Sequence, residues 1–196
     1  MISKLKQKLE ASITLSDVLW EDIKTACVQK FIKKGDTLIN YSSTNRQAHI
    51  VLSGAFETSL ISTNGNKQTI WFHFDELFDV VTCFDSYFLN EPTKYEVVAL
   101  EDSEVCIFHK ERVDKWVEKY PEMNTLYIND IIGDTVHLAE IRNHMIAHTP
   151  KEFLAYLKEN YPIILERTPY NKLAHFMSIT PEWLSKIKKG IDFPVS

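Results

Sequence analysis

Apolar residues recur along this chain in three successive rhythms. From residue 1 to about 29 the period is helical. Leu5 and Leu9 are spaced for one face, and Ser16-Asp-Val-Leu-Trp-Glu-Asp-Ile opens with a capping residue ahead of an apolar stripe. From 30 to 108 the chain alternates instead, favours β-branched and aromatic residues, and is broken at Gly35-Asp, Ser53-Gly, Asn64-Gly-Asn and Asn90-Glu-Pro. Short strands with turn signals at such spacing predict an antiparallel barrel or sandwich. Asn64-Gly65, set between two alternating runs, predicts a tight hairpin. From Lys110 to His148 the helical period returns. Val113, Trp116 and Val117 form a short amphipathic stretch ending at Tyr120-Pro121, and the run that follows has no further proline until Pro150.

That long run carries two apolar stripes. Ile131, Leu138 and Met145 recur every seven residues with Ile141 between the last two, while Ile128, Ile132, Val136 and Ala139 form the other stripe. Two faces suit a helix that packs on its own domain and pairs with a second subunit; a helix buried in its own monomer is the alternative. Gly133, in mid-helix, costs roughly 1 kcal/mol against alanine. Beyond it, Pro150 to Asn160 predicts a helix with Phe153, Leu154 and Leu157 inward. Tyr161 to Pro169 reads as a connection with room for a short strand at 163–165.

The last rhythm is two short helices around a tight corner, Lys172 to Lys189. Leu173, Ala174 and Met177 share one face, Leu184 and Ile187 another, and Ile179 plugs the corner. Thr180-Pro181 is a strong helix start, since the hydroxyl caps free N–H groups and proline costs nothing at the first helical position. Outward from the second helix stand Pro181, Glu182, Ser185, Lys186, Lys188 and Lys189. This is the pattern of a DNA-reading helix-turn-helix, against the plainer reading of a helical hairpin with a solvated basic face. Ser178 occupies the corner position often given to glycine.

Charge sharpens that picture. The net charge of −5 argues against general affinity for nucleic acid, yet from Arg167 to Lys189 the cations Arg167, Lys172, Lys186, Lys188 and Lys189 face a single acid, Glu182. With 44% hydrophobic residues the chain can build a proper core. No apolar run is long enough to span a bilayer and Met1-Ile-Ser-Lys lacks a signal-peptide core, so a cytoplasmic location is expected, with no membrane partner. Cys27, Cys83 and Cys106 are far apart and in no CxxC arrangement, and are expected as buried thiols.

Several fragments, taken in order, carry a resemblance: Phe31-Ile-Lys-Lys-Gly35-Asp-Thr-Leu38, Ile50-Val-Leu-Ser-Gly54, Asn64-Gly65 and Ala99-Leu-Glu-Asp-Ser-Glu-Val105. They follow the order of cyclic-nucleotide-binding β-rolls. With the terminal helix pair, the chain resembles the Crp/Fnr family of bacterial transcription regulators over nearly its full length, and looks most like members from Bacteroidetes. The resemblance implies an α+β fold: an N-terminal antiparallel β-roll sensor over 1–119, a long dimerisation helix over 120–148, and a DNA-binding helix-turn-helix over 149–196. Members usually add a β-hairpin wing, for which the remaining residues 191–196 are too short.

Members that bind cyclic AMP carry Gly-Glu at the start of a short helix and an Arg-Ser/Thr pair about eleven residues later. The glutamate holds the ribose and the arginine fork neutralises the cyclic phosphate. Counted back from Ala99, the Gly-Glu positions fall on Thr82 and Cys83 and the arginine on Thr93, so none matches. Lys94 is the nearest cation. The sequence thus predicts a degenerate pocket around Thr82, Cys83, Phe84, Thr93, Lys94 and Tyr95 that does not take cyclic AMP in the usual way. It leaves open whether the pocket is empty, filled by Phe84, Tyr87 and Tyr95, or adapted to another effector.

The reading that follows is a homodimeric, sequence-specific DNA-binding regulator, paired through Ile131, Leu138, Ile141 and Met145. It reads a palindromic operator in double-stranded DNA through Thr180, Pro181, Glu182, Ser185, Lys186, Lys188 and Lys189. RNA polymerase is a further partner that such a regulator allows. The alternative is a ligand-binding sensor that acts through protein contacts, with a decayed DNA-binding head. No catalytic constellation is found, so no enzyme and no cofactor are expected. His137, Glu140, His144 and His148 lie at steps of three, four and four on the long helix. Zinc is the sharp reading of that spacing and a solvated face the plain one, and no metal is expected.

Overall fold

The computed structural model describes residues 2–61 and 65–189. Asn64 of the expected hairpin and the segment 191–196 lie outside them. Two helices lead the chain: α1 (Ile2–Ser12), with Leu5 and Leu9 buried, and α2 (Asp17–Ala26), whose first turn is closed by Ser16 Oγ accepting from the Leu19 N–H. Among the described residues eight strands follow, interrupted by one short helix. They are β1 (Val28–Ile32), β2 (Thr37–Ile39), β3 (Gln47–Ser53), β4 (Ala55–Ile61), β5 (Lys67–Phe74) and β6 (Val80–Val81), then helix α3 (Phe84–Leu89), then β7 (Tyr95–Ala99) and β8 (Ser103–His109).

The strands form two four-stranded sheets, β1-β8-β3-β6 and β2-β7-β4-β5, and every pairing is antiparallel. Their inner faces meet in a core that includes Ile32, Ile39, Val51, Phe56, Val97 and Val105. Alternation predicted the antiparallel strands and the resemblance implied their roll, and β4 pairs with β5 out to Ile61 and Lys67 as the hairpin requires. Gly54 joins β3 to β4 at φ +100°, where a Cβ would overlap Ser103, so both its conformation and its close approach call for glycine.

Helix α4 (Lys110–Lys119) buries Val113 and Trp116 against α1 and α2, and stops before Pro121. Helix α5 (Pro121–Ala147) runs 27 residues without a break, and nothing within 4 Å would meet a Cβ at Gly133, so no close approach accounts for that glycine. Four helices follow among the described residues: α6 (Pro150–Asn160), α7 (Pro162–Arg167), α8 (Tyr170–Phe176) and α9 (Pro181–Lys188). Thr149 and Glu152 cap α6 reciprocally, and Phe153, Leu154 and Leu157 form its buried face. The C-terminal core they build continues onto the roll through Ala55, Phe72 and Phe74. Strand β4 is therefore buried on both sides, with Phe56 facing the roll interior and Ala55 the helices. Among the described residues, no helix is long and apolar enough to cross a membrane.

Three expectations are corrected. Residues 163–165 are helical, not a strand, because Pro162 starts α7 and turns Ile164 into the C-terminal core. Cys27 and Cys106 are paired in a disulfide rather than held as separate thiols; β1 lies antiparallel to β8, which brings residues 79 apart in sequence to a Cα separation of 5.8 Å. Ile141 is not on a face open to a partner. It is 1% exposed and packed in its own C-terminal core, with Met145 half-buried against the same cluster.

Candidate functional site

The terminal helix pair closes on itself tightly. Ser178 takes the left-handed conformation at φ 55°, its N–H donating to the His175 carbonyl while the Ile179 N–H reaches the Ala174 carbonyl, each at 3.0 Å. A serine there costs about 1 kcal/mol or more relative to glycine. Ile179, packed against the core, helps offset it. Thr180 Oγ1 accepts from the Trp183 N–H at 3.2 Å and Pro181 occupies the first turn, so α9 starts where its capping signal says. Leu184 is fully buried against the cluster holding Leu173, Ala174 and Met177.

The opposite side of α9 faces outward. Thr180, Glu182, Ser185, Lys186 and Lys189 are exposed, and Pro181 and Lys188 are half-buried. Lys188 Nζ lies 5.5 Å over the Tyr170 ring. Trp183, 47% exposed, projects away from the inter-helix core. Hydrogen bonds from its own backbone N–H and from the Thr180 hydroxyl hold the Glu182 carboxyl below the usual range, so it is ionised at the helix N-terminus.

Two of the segment's cations face elsewhere. Arg167 forms a fork to Glu101 (3.1 and 2.8 Å) and a third bond to Asp75 at 2.6 Å. Those bonds, Glu101 first, push its already high pKa further up. Lys172 Nζ lies 2.7 Å from the carboxylate of Glu57, a residue 3% exposed that also accepts from Thr69 and Ser59. Gln68 hydrogen-bonds the His175 carbonyl, and Phe72 meets Phe176 edge-on at 5.2 Å. These contacts dock α8 on β5 and leave the outer side of α9 in solvent.

The predicted effector residues split into two groups. Thr82, Cys83, Phe84 and Tyr95 line a cavity of about 410 Å³ between the roll, α1 and α5; Thr93 and Lys94 do not. Thr82 Oγ1 donates to the Gln47 carbonyl at 3.3 Å. Cys83 precedes α3, and burial pushes its thiol up to about 11. Thr93 is 1% exposed, its hydroxyl accepting from the Tyr95 N–H at 3.1 Å. Lys94 is exposed, and its backbone N–H is bound by Asp85. Phe84 is 56% exposed and Tyr87 forms part of the wall, so these aromatics border the cavity without filling it.

The sequence did not single out the acids of this cavity. Asp79, Asp130 and Asp134 line it, the last two one turn apart on α5. Burial first, then the charge of Asp79, raises Asp130 and Asp134 to about 6. Lys8 lines the same wall, with its Nζ 2.7 Å from the Asp79 carboxylate and also bonded to the Asp75 carbonyl. The signal was a pair of aspartates on a helix face otherwise rich in isoleucine and leucine.

The two stripes of α5 also separate. Ile128, Ile132 and Val136 are exposed, as are Ile131 and Leu138, which in addition line the cavity. The histidines of this helix have other partners: His137 Nδ1 lies 2.8 Å from the Tyr161 hydroxyl, His144 stacks on Tyr156 at 3.6 Å, and His148 stacks on His144. Glu140 is exposed. Among the described residues, no group of His, Cys, Asp or Glu is placed to hold a metal ion.

Residues 29–120 match the family model of the cyclic nucleotide-binding domain. No curated protein sequence matches the chain. Among solved structures, the fold is similar to FixK2 from Bradyrhizobium japonicum, with a TM-score of 0.69, 14% identity, and 87% of this chain and 89% of that one covered. It is also similar to a transcriptional regulator of the Crp/Fnr family from Eubacterium rectale, with a TM-score of 0.66, 15% identity, and coverage of 90% and 83%. A third is CooA from Carboxydothermus hydrogenoformans, in a mutant form, with a TM-score of 0.63, 14% identity, and coverage of 91% and 85%. The chain thus has a mixed α+β fold with an antiparallel roll, shared with these structures, one of them a Crp/Fnr-family regulator.

Proposed function

We propose that this chain is a Crp/Fnr-type transcription regulator, cytoplasmic and homodimeric, that reads a palindromic operator through α9. The observation that carries the proposal is the outer side of α9. Glu182, Ser185 and Lys186 are exposed on a helix whose other side is locked by Leu184, capped at Thr180 and set at a fixed angle by the left-handed Ser178. A rigid, capped, solvent-facing helix of two turns is what a major groove accepts. In this reading Lys186 donates to guanine, Glu182 accepts from a cytosine amino group, and Thr180 and Lys189 hold phosphates. Residues 1–119 form the sensor, 120–148 the pairing helix and 149–196 the head. Pairing uses Ile128, Ile131, Ile132, Val136 and Leu138, which are exposed on α5, and not Ile141.

The roll does not serve as a cyclic AMP site. Thr82, Cys83 and Thr93 supply neither ribose-binding carboxylate nor phosphate-binding guanidinium, and Lys94 stands outside the cavity. A buried cyclic phosphate without a matched cation is costly.

The test is a gel-shift series on palindromic DNA selected from a random pool, run at several salt concentrations. Lys186→Ala is expected to weaken specific binding roughly tenfold or more, in line with about 1–3 kcal/mol for one base contact. Unchanged operator affinity in that variant would remove α9 from the reading role. Absence of binding at every salt concentration would instead favour a sensor that acts through protein contacts.

A further inference from the structure

The cavity between α5 and the roll has a chemistry of its own. At about 410 Å³ it falls within the usual size of small-molecule sites, which are mostly apolar with a few fixed polar groups. Its walls are aromatic: Trp71, Tyr87, Phe88, Tyr95, Trp116 and Tyr127 all line it. Its charge is one-sided. Asp79, Asp130 and Asp134 face it, against Lys8, which is already bonded to Asp79. His73, the other basic side chain on the wall, bonds the Phe78 carbonyl through Nδ1 and the Thr58 hydroxyl through Nε2, and its burial keeps the ring neutral.

Tyr87 is 2% exposed, and its hydroxyl meets that of Tyr127, so the two phenols form one polar pair in an otherwise aromatic wall. The acids are not grouped to hold a metal ion. Aromatic faces with carboxylates at the rim instead suit an organic ammonium, through ring quadrupoles and direct ion pairing.

We infer that this cavity binds an amphipathic organic cation, with its apolar body among Trp71, Tyr87 and Tyr95 and its ammonium group held by Asp130 and Asp134. Such a ligand is opposite in sign to a cyclic nucleotide. It would also bridge the parts that move the head. Trp71 and His73 of β5 line the cavity, while Phe72 and Phe74 of the same strand enter the core shared with α8. The ligand sits beside Ile131 and Leu138, next to the pairing face of α5.

The inference rests on the reading of the roll as a sensor and not on DNA reading, and its test contains no DNA. Failure of one therefore leaves the other standing. The full chain is titrated by calorimetry at pH 7.5 with three near-isosteric probes: tryptamine, 3-propylindole and indole-3-propionate. Tryptamine is expected to bind about tenfold more tightly than the neutral probe, and the anion most weakly. Asp134→Asn, which removes a like charge and so is expected to fold, should reduce tryptamine to the level of 3-propylindole while leaving the neutral probe unchanged. Preference for the neutral or anionic probe, cation preference that survives both Asp130→Asn and Asp134→Asn, or no binding of any probe would each overturn the inference.

Discussion

Two buried histidines and two aspartates on the cavity wall pull the molecule's acid response in opposite directions. His49 and His73 are lowered to about 4 by burial, which outweighs the bond each Nδ1 makes to a backbone carbonyl and keeps both rings neutral. Their unfolded counterparts take up a proton near 6.5, so they remove stability as pH falls from about 6.5 through about 4. Asp130 and Asp134 have the reverse sign. Raised to about 6 from 3.8, they favour the fold while protonated and remove stability as pH rises from 3.8 to 6. The two effects oppose one another between pH 4 and 6. Asp134→Asn should therefore gain stability over the parent at pH 7 but not at pH 3.5, measured by urea unfolding at both. A gain of equal size at both values would show that the carboxylate is not perturbed. None of these residues was marked by the sequence, because their surroundings depend on strands and helices meeting from distant parts of the chain. Thr180, Pro181 and Ser178 were legible because capping and left-handed turns are decided within a few residues.

At the scale of elements, periodicity placed the helices but not always their environment. The stripes of α5 both look apolar, yet Ile132 is 56% exposed while Ile141 is 1% exposed, since α6 folds back over only the end of the helix and the C-terminal core closes there. Ile132→Glu is expected to shift the chain from dimer to monomer in sedimentation analysis with little change in melting temperature. Ile141→Ala is expected to cost about 2–5 kcal/mol while leaving the oligomeric state intact. A dimer that withstands Ile132→Glu would place the pairing face elsewhere. The short strand expected at 163–165 became α7 for a related reason: three apolar residues in a row read alike in either state, and only the packing of Ile164 decides. The Cys27–Cys106 disulfide escaped notice because it depends on the β1–β8 register, which no local pattern contains.

The whole molecule couples a roll to a head through one strand. β5 carries cavity residues and head-packing residues in alternation, and Glu57 on the neighbouring β4 is bound by Lys172 of α8. The sequence showed the basic bias of residues 167–189, yet Arg167 and Lys172 support the joint between roll and head instead of extending the outward face. Lys172→Met leaves Glu57 buried without its cation, and should cost about 2–3 kcal/mol and speed limited proteolysis between roll and head. Unchanged stability and cleavage would show that the joint does not depend on that pair. The central claim, an outward α9 presented twice by a symmetric pair, is tested most directly by hydroxyl-radical footprinting of the full chain on its selected operator. The account predicts two protected patches related by a dyad, centred about 34 Å apart along one face of the duplex. A single patch, or even protection along the whole fragment, would contradict it.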